Sequence, residues 1–219
     1  MGSANTAPLM AMDIEGIDVA VMYGPRGRQI LCHDELAPVT PRRLPEPITW
    51  AHDYCKTDSQ RLKFAAQIAM HDVSTAVAEV RRCVSELGAV AIIGTLNPVS
   101  GQHLHDDVCE PLWNELKRLN VPIGFHPTGT TALSDDAGRR YVGHANFHPI
   151  AHAICNPVEL MGAMASMTTE RVLERHPKLC CAFLEGTAGW LYWWLWRLDD
   201  QWEKFGPGCE HQLSMMPSE

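Results

Sequence analysis

The residues best placed to do chemistry lie in Val121–Thr130, VPIGFHPTGT. A short apolar run, Val121 to Phe125, follows an amphipathic helix pattern and ends in His126, after which Pro127 and Gly129 break the extended conformation. A buried parallel strand that delivers a histidine at its C-terminal tip puts an imidazole where α/β enzymes keep their chemistry. The plainer alternative is a core or loop histidine satisfied by a backbone carbonyl. Segment 127–156 then carries His144, His148 and His152 with Asp135, Asp136, Arg139 and Arg140, and is expected to be a long loop holding specificity. His148 and His152 have the i, i+4 spacing that suits a metal on a helix, although Pro149 between them argues against regular helix there. Arg26 and Arg28 follow the Gly24-Pro25 break, where a guanidinium could grip a substrate carboxylate or stay a solvated loop charge. Arg26, Arg28, His144, His148 and His152 are therefore the expected substrate-binding residues.

These side chains need a scaffold, and the composition permits one. The 219 residues carry a net charge of −8, which argues against nucleic acid or an anionic membrane as main partner. Eight cysteines at 32, 55, 83, 109, 155, 180, 181 and 209 show no CxxC spacing, so free thiols in a reducing cytoplasm are expected. Apolar runs fall far short of the ~20 residues a membrane span needs. No GxGxxG, GxxxxGK[ST] or GxSxG occurs, so nucleotide-binding and α/β-hydrolase readings lose their usual support.

Apolar, β-branched runs predict strands at Ile17–Tyr23, Leu62–Ile68, Ala89–Ile93, Val121–Phe125 and Leu179–Leu184, the last tipped by Glu185-Gly186. Between them, helices are expected from Ile48 to Cys55, from an Asp72 cap to Leu87, from Asp106 or Asp107 to Leu119, and from an Asn156 cap to Glu174, with a last one over Ala188–Phe205. Strands alternating with helices mean βαβ units and a parallel sheet, either open and doubly wound or a (β/α)₈ barrel. The last helix, with GWLYWWLWRLDDQW, is apolar nearly all round. Such a helix is buried on more than one side, and one face is expected to meet another subunit, making a homo-oligomer through Trp190–Trp202.

Four stretches together resemble the metal-dependent amidohydrolase superfamily, in the branch with aminocarboxymuconate-semialdehyde decarboxylase and related non-oxidative decarboxylases. They are MDIEGIDVAVMYGP (12–25), the stretch 51–94, LHDDVCEPLWNELKRLNVPIGFHPTG (104–129) and VLERHPKLCCAFLEGTAGWLYWWLWRLDD (172–200). The resemblance implies a single TIM-barrel-like domain over 1–219 with one catalytic divalent metal, most often zinc, and makes His126 a metal ligand. Free-standing chemistry agrees, since a neutral imidazole is a common zinc ligand. Glu185 stands where several of these decarboxylases have a catalytic histidine; as a carboxylate it could ligate, act as a base, or hold the turn. The family's first, seventh and eighth strands, with three of four metal ligands, have no counterpart here, so an incomplete barrel is expected. The implied activity is hydrolysis or non-oxidative decarboxylation of a small carboxylated substrate; the alternative is an inactive barrel acting as scaffold or subunit.

Overall fold

The computed structural model describes residues 6–24, 45–96, 99–127 and 137–219. Its strands are β1 (Ala20–Tyr23), β2 (Leu62–Gln67), β3 (Ala91–Gly94), β4 (Ile123–Phe125) and β5 (Cys181–Phe183). The helices are α1 (Ala7–Glu15), α2 (Pro45–Cys55), α3 (Val73–Ser85), α4 (Glu110–Leu119), α5 (Phe147–Thr169), α6 (Val172–Arg175) and α7 (Leu191–Phe205).

All strands pair in parallel in the order β1-β2-β3-β4-β5. Sheet neighbours are chain neighbours, so every right-handed crossover steps the same way and leaves its helix on the same face. A doubly wound sheet reverses its strand order; this one does not, which is barrel topology. The sheet is also curled. A Cβ on Gly124 of β4 would sit 3.1 Å from Cε1 of Tyr23 on β1. Those strands are three spacings apart, roughly 14 Å across a flat sheet, beyond the reach of a tyrosine. The fold is thus a TIM-barrel-like parallel α/β structure with part of its barrel present.

Strand alternation sorts the side chains. Leu62, Phe64, Ala66, Ile92, Ile123 and Phe125 face the helices and join Val80, Cys83, Leu112, Trp113, Leu116 and Leu160 in the main core. Tyr23, Ala65, Ala91 and Ile93 pack together on the concave face. By the same alternation Gly124 and His126 of β4 belong to the concave face. The helix starts follow local chemistry: Asp72 is extended (φ −134°, ψ 112°) and accepts from the Thr75 N–H at 2.7 Å, as an N-cap should.

Two expectations need correction. Asn156 does not cap a helix; α5 begins at Phe147, and Asn156 lies inside it, so the last ten residues of segment 127–156 are helical. Asn-Pro reads as a boundary because the residue before proline avoids the α region. Here Pro149 falls in the first turn, where its missing N–H costs nothing, and α5 continues through Pro157 where Pro157 and Leu160 lie against Gly186 in the turn after β5. The second correction concerns α7, which is buried on one side only. Trp194 donates to the Met161 carbonyl of α5 at 3.0 Å, whereas Tyr192, Trp193 and Trp196 are 87%, 51% and 56% exposed. Arg26 and Arg28 lie outside the described residues.

Candidate functional site

His126 follows β4 and Glu185 follows β5, so both stand at the C-terminal ends of adjacent strands. Phe125 pairs with Phe183 in the sheet register, which fixes the two tips side by side. The imidazole Nε2 lies 3.2 Å from Glu185 Oε1, and Nδ1 lies 2.7 Å from the Pro127 carbonyl. His126 is buried and Glu185 half exposed, with side-chain exposures of 7% and 50%. A ring whose Nδ1–H donates to a carbonyl presents its Nε2 lone pair to the other side. Glu185 faces that nitrogen, so the pair is a place to hold one proton or, together, one cation.

The turn that presents Glu185 is strained. Glu185 and Thr187 both have left-handed φ, at 64° and 56°, a conformation that costs non-glycine residues on the order of 1–3 kcal/mol each. Between them Gly186 is pressed against α5: a Cβ there would meet Leu160 Cδ1 at 2.4 Å and lie 3.5 Å from Pro157 Cα. Asn156 secures the same turn from α5, its Nδ2 facing the Glu185 carbonyl at 3.4 Å and His152 Nε2 at 3.4 Å. One helical turn earlier His148 packs on His152, ring centroids 5.7 Å apart. The line His148, His152, Asn156 is therefore continuous with Glu185 and His126. His144 lies on the turn before α5, edge-on to Tyr141 with centroids 6.3 Å apart, and does not join that line.

Sequence reasoning missed three contributors. Asn156 was expected as a helix cap, yet its i, i+4 register with His152 is the signal that places it at the site. Gln67, at the end of β2 on the concave face, donates Nε2 to the Gly24 carbonyl. That bond fixes the amide, and Gln67 Oε1 is buried without a partner among the described residues. Tyr23 covers Gly124, and burial raises its hydroxyl pKa, keeping it a neutral donor.

His103 and His105 stack at 5.2 Å, and His105 Nδ1 lies 2.8 Å from the Ser166 hydroxyl of α5. His103 borders a cleft of about 200 Å³ with Leu96, Leu104, Glu159 and Ala163, lined by neither His126 nor Glu185. His105 thus pins the loop after β3 to α5.

A curled parallel sheet with an imidazole and a carboxylate at adjacent strand tips is the arrangement of a TIM-barrel-type site. The sequence matches the amidohydrolase family over residues 26–209, and the chain belongs to that family. Among curated relatives, it is 30% identical over 166 residues to a gamma-resorcylate decarboxylase from Rhizobium sp. (strain MTP-10005). That match covers 72% of this chain and 48% of the relative, so the chain spans about half the length of the relatives it matches. Among solved structures, a 2,6-dihydroxybenzoate decarboxylase from Rhizobium superposes with a TM-score of 0.71 at 20% identity, covering 99% of this chain and 65% of that one. A dihydroxybenzoic acid decarboxylase from Polaromonas sp. JS666, described with bound manganese, gives 0.71 at 19% identity, covering 96% and 62%.

A divalent metal fits the described residues only in part. Nε2 and Oε1 at 3.2 Å have the separation of two neighbouring ligands with bonds of ~2.1 Å at about 100°. Among the described residues, however, no group of three or more His, Cys, Asp or Glu could hold an ion, and three protein ligands are the usual minimum for a catalytic site.

Proposed function

We propose that this chain carries the proton-handling half of a non-oxidative decarboxylase site for a small aromatic carboxylate. The observation that carries the reading is the 3.2 Å contact between His126 Nε2 and Glu185 Oε1 at neighbouring strand tips. Decarboxylation of a ring carboxylate requires a proton on the carbon that bears the carboxylate. The C–C bond then breaks, its electron pair returns to the ring, and CO₂ leaves. A proton held between Nε2 and Oε1 at the barrel mouth can be delivered to such a carbon. Gln67 Oε1 is suited to accept a ring hydroxyl, because a buried unpartnered acceptor costs about 1–3 kcal/mol until a donor reaches it. Of the two expected reactions, hydrolysis and decarboxylation, the named relatives support the second. Since the described donors fall one short of a metal centre, no step is routed through a metal, and zinc is not preferred over manganese.

The test is 2,6-dihydroxybenzoate in D₂O with added Mn²⁺, followed by NMR. Deuterated resorcinol formed by the parent and reduced at least about 100-fold in Glu185→Gln and His126→Ala is expected, the scale at which positioned acid–base groups act. Equal turnover by Glu185→Gln would remove the proposed proton role. A second reading, binding without turnover as a subunit, is favoured by the shortfall in metal donors together with the open face Tyr192, Trp193 and Trp196 on α7. Substrate binding without resorcinol would select it.

A further inference from the structure

We propose that His148 and His152 form a chelating site for a soft or borderline transition-metal ion, Cu²⁺, Ni²⁺ or Zn²⁺, on the first two turns of α5. The site uses neither His126 nor Glu185 as a ligand and stands independently of the decarboxylase reading. Histidines at i and i+4 project from the same face of a helix, the arrangement by which paired helical histidines hold zinc. The sequence here is His148-Pro-Ile-Ala-His152. Pro149 occupies the first turn of α5, where it does not interrupt the helix that sets the spacing.

The ring separation is close to that of a chelate. A metal bonded to each imidazole at ~2.1 Å lies ~3.2 Å from each ring centroid, so a tetrahedral angle places the centroids about 5.3 Å apart. The observed separation is 5.7 Å, with the rings tilted by 51°. Closing the difference takes a few tenths of an ångström, within the freedom of two exposed side chains. Asn156 Nδ2 faces His152 Nε2 at 3.4 Å, so an ion on that nitrogen must displace this long contact and turn the His152 ring toward His148. Two imidazoles prefer copper, nickel and zinc over oxygen-seeking manganese or magnesium. The residue after the first histidine is proline, where zinc peptidases carry the glutamate that acts as base. The site therefore binds without a hydrolytic base of its own. An ion there clamps the start of the helix whose Asn156 holds the Glu185 turn.

The test is Cu²⁺ titration of the full chain by calorimetry, with electron paramagnetic resonance of the bound ion. The expected result is one ion whose spectrum shows two imidazole nitrogens and whose affinity falls at least about tenfold in His148→Ala and in His152→Ala. His126→Ala and Glu185→Gln should leave it unchanged, which separates this site from the strand-tip pair. A register control, His152→Ala with Ala153→His, keeps the number of histidines but moves one off the shared face. It should bind as weakly as His152→Ala. Undiminished affinity in the register control, or a two-nitrogen spectrum that survives removal of both histidines, overturns the proposal. Both side chains are exposed, so circular dichroism of each variant should match the parent.

Discussion

Gly186→Ala is expected to loosen the contact between the Glu185 turn and α5. The added Cβ would sit 2.4 Å from Leu160 Cδ1 and 3.2 Å from Trp190 Nε1. Carbon atoms pack at about 3.5–4.0 Å, so more than 1 Å must be recovered. Leu160 is fully buried (0% exposed) and cannot turn into solvent. The strain passes to α5 or to the turn, and overpacking of this kind costs about 1–3 kcal/mol. Leu160→Ala alone should cost about 2–5 kcal/mol, since it leaves a cavity. Combined, the new methyl occupies space that Leu160 vacated, so the double variant should lose less than the sum, with a coupling of about 0.5–3 kcal/mol. Urea unfolding followed by circular dichroism measures all three, with a shifted midpoint and an unchanged slope as the signature of lost stability. A Gly186→Ala protein within ~0.5 kcal/mol of the parent, or a strictly additive double variant, would refute the claim that this glycine sets the approach of α5 to β5.

Two other outcomes are expected. Hydrogen bonds from Arg118 and Arg81 hold the Glu115 carboxyl at about 2, so its folded-state pKa lies below the unfolded one. Its stabilisation is therefore present above about pH 4.3 and lost as pH falls toward 2. Because both guanidinium groups are more than half exposed, the contribution is discounted to ~1 kcal/mol. Glu115→Gln should be less stable than the parent at pH 7, the gap closing toward pH 2; parallel stability curves over that range would contradict this. On α7, if the chain self-associates through its exposed aromatic face, the joint change Trp193→Ser and Trp196→Ser should shift sedimentation toward monomer. Sedimentation identical to the parent would remove α7 as the contact.

The parallel α/β class was legible because period is a local property: AVAII and VPIGF carry no charged or hydrogen-bonding side chain, as buried parallel strands do. Periodicity left the choice between barrel and doubly wound sheet open, because it depends on which strand lies beside which; the family resemblance made that choice, and the strand order bears it out. Tyr23 touching the Gly124 position states that choice in one contact. His126 was legible as a residue type at a strand tip, whereas its pairing with Glu185 depends on β4–β5 register, which no spacing in the chain encodes. Asn156 shows how a correct local rule yields the wrong structure. Asn-Pro favours a boundary by propensity, and burial of Leu160 and Gly186 at the α5–β5 contact outweighs that preference. The face of α7 could be read as apolar but not as uncovered, since burial depends on what else packs against it.

Glu185 brings these observations together. A glycine would adopt its left-handed backbone at no steric cost, and the next residue, Gly186, is itself required to be small by the approach of Leu160. The turn nevertheless places a carboxylate at φ 64°, one position before that glycine, and α5 holds its carbonyl through Asn156. Backbone geometry alone gives no reason for a charged side chain there. The side chain accounts for it: from this conformation Oε1 meets His126 Nε2 across adjacent strand tips, on the end of the sheet where barrels of this class carry their chemistry. Strain at Glu185, the close approach at Gly186 and the Asn156 anchor are thus one device, and what it fixes is the distance between an imidazole and a carboxylate.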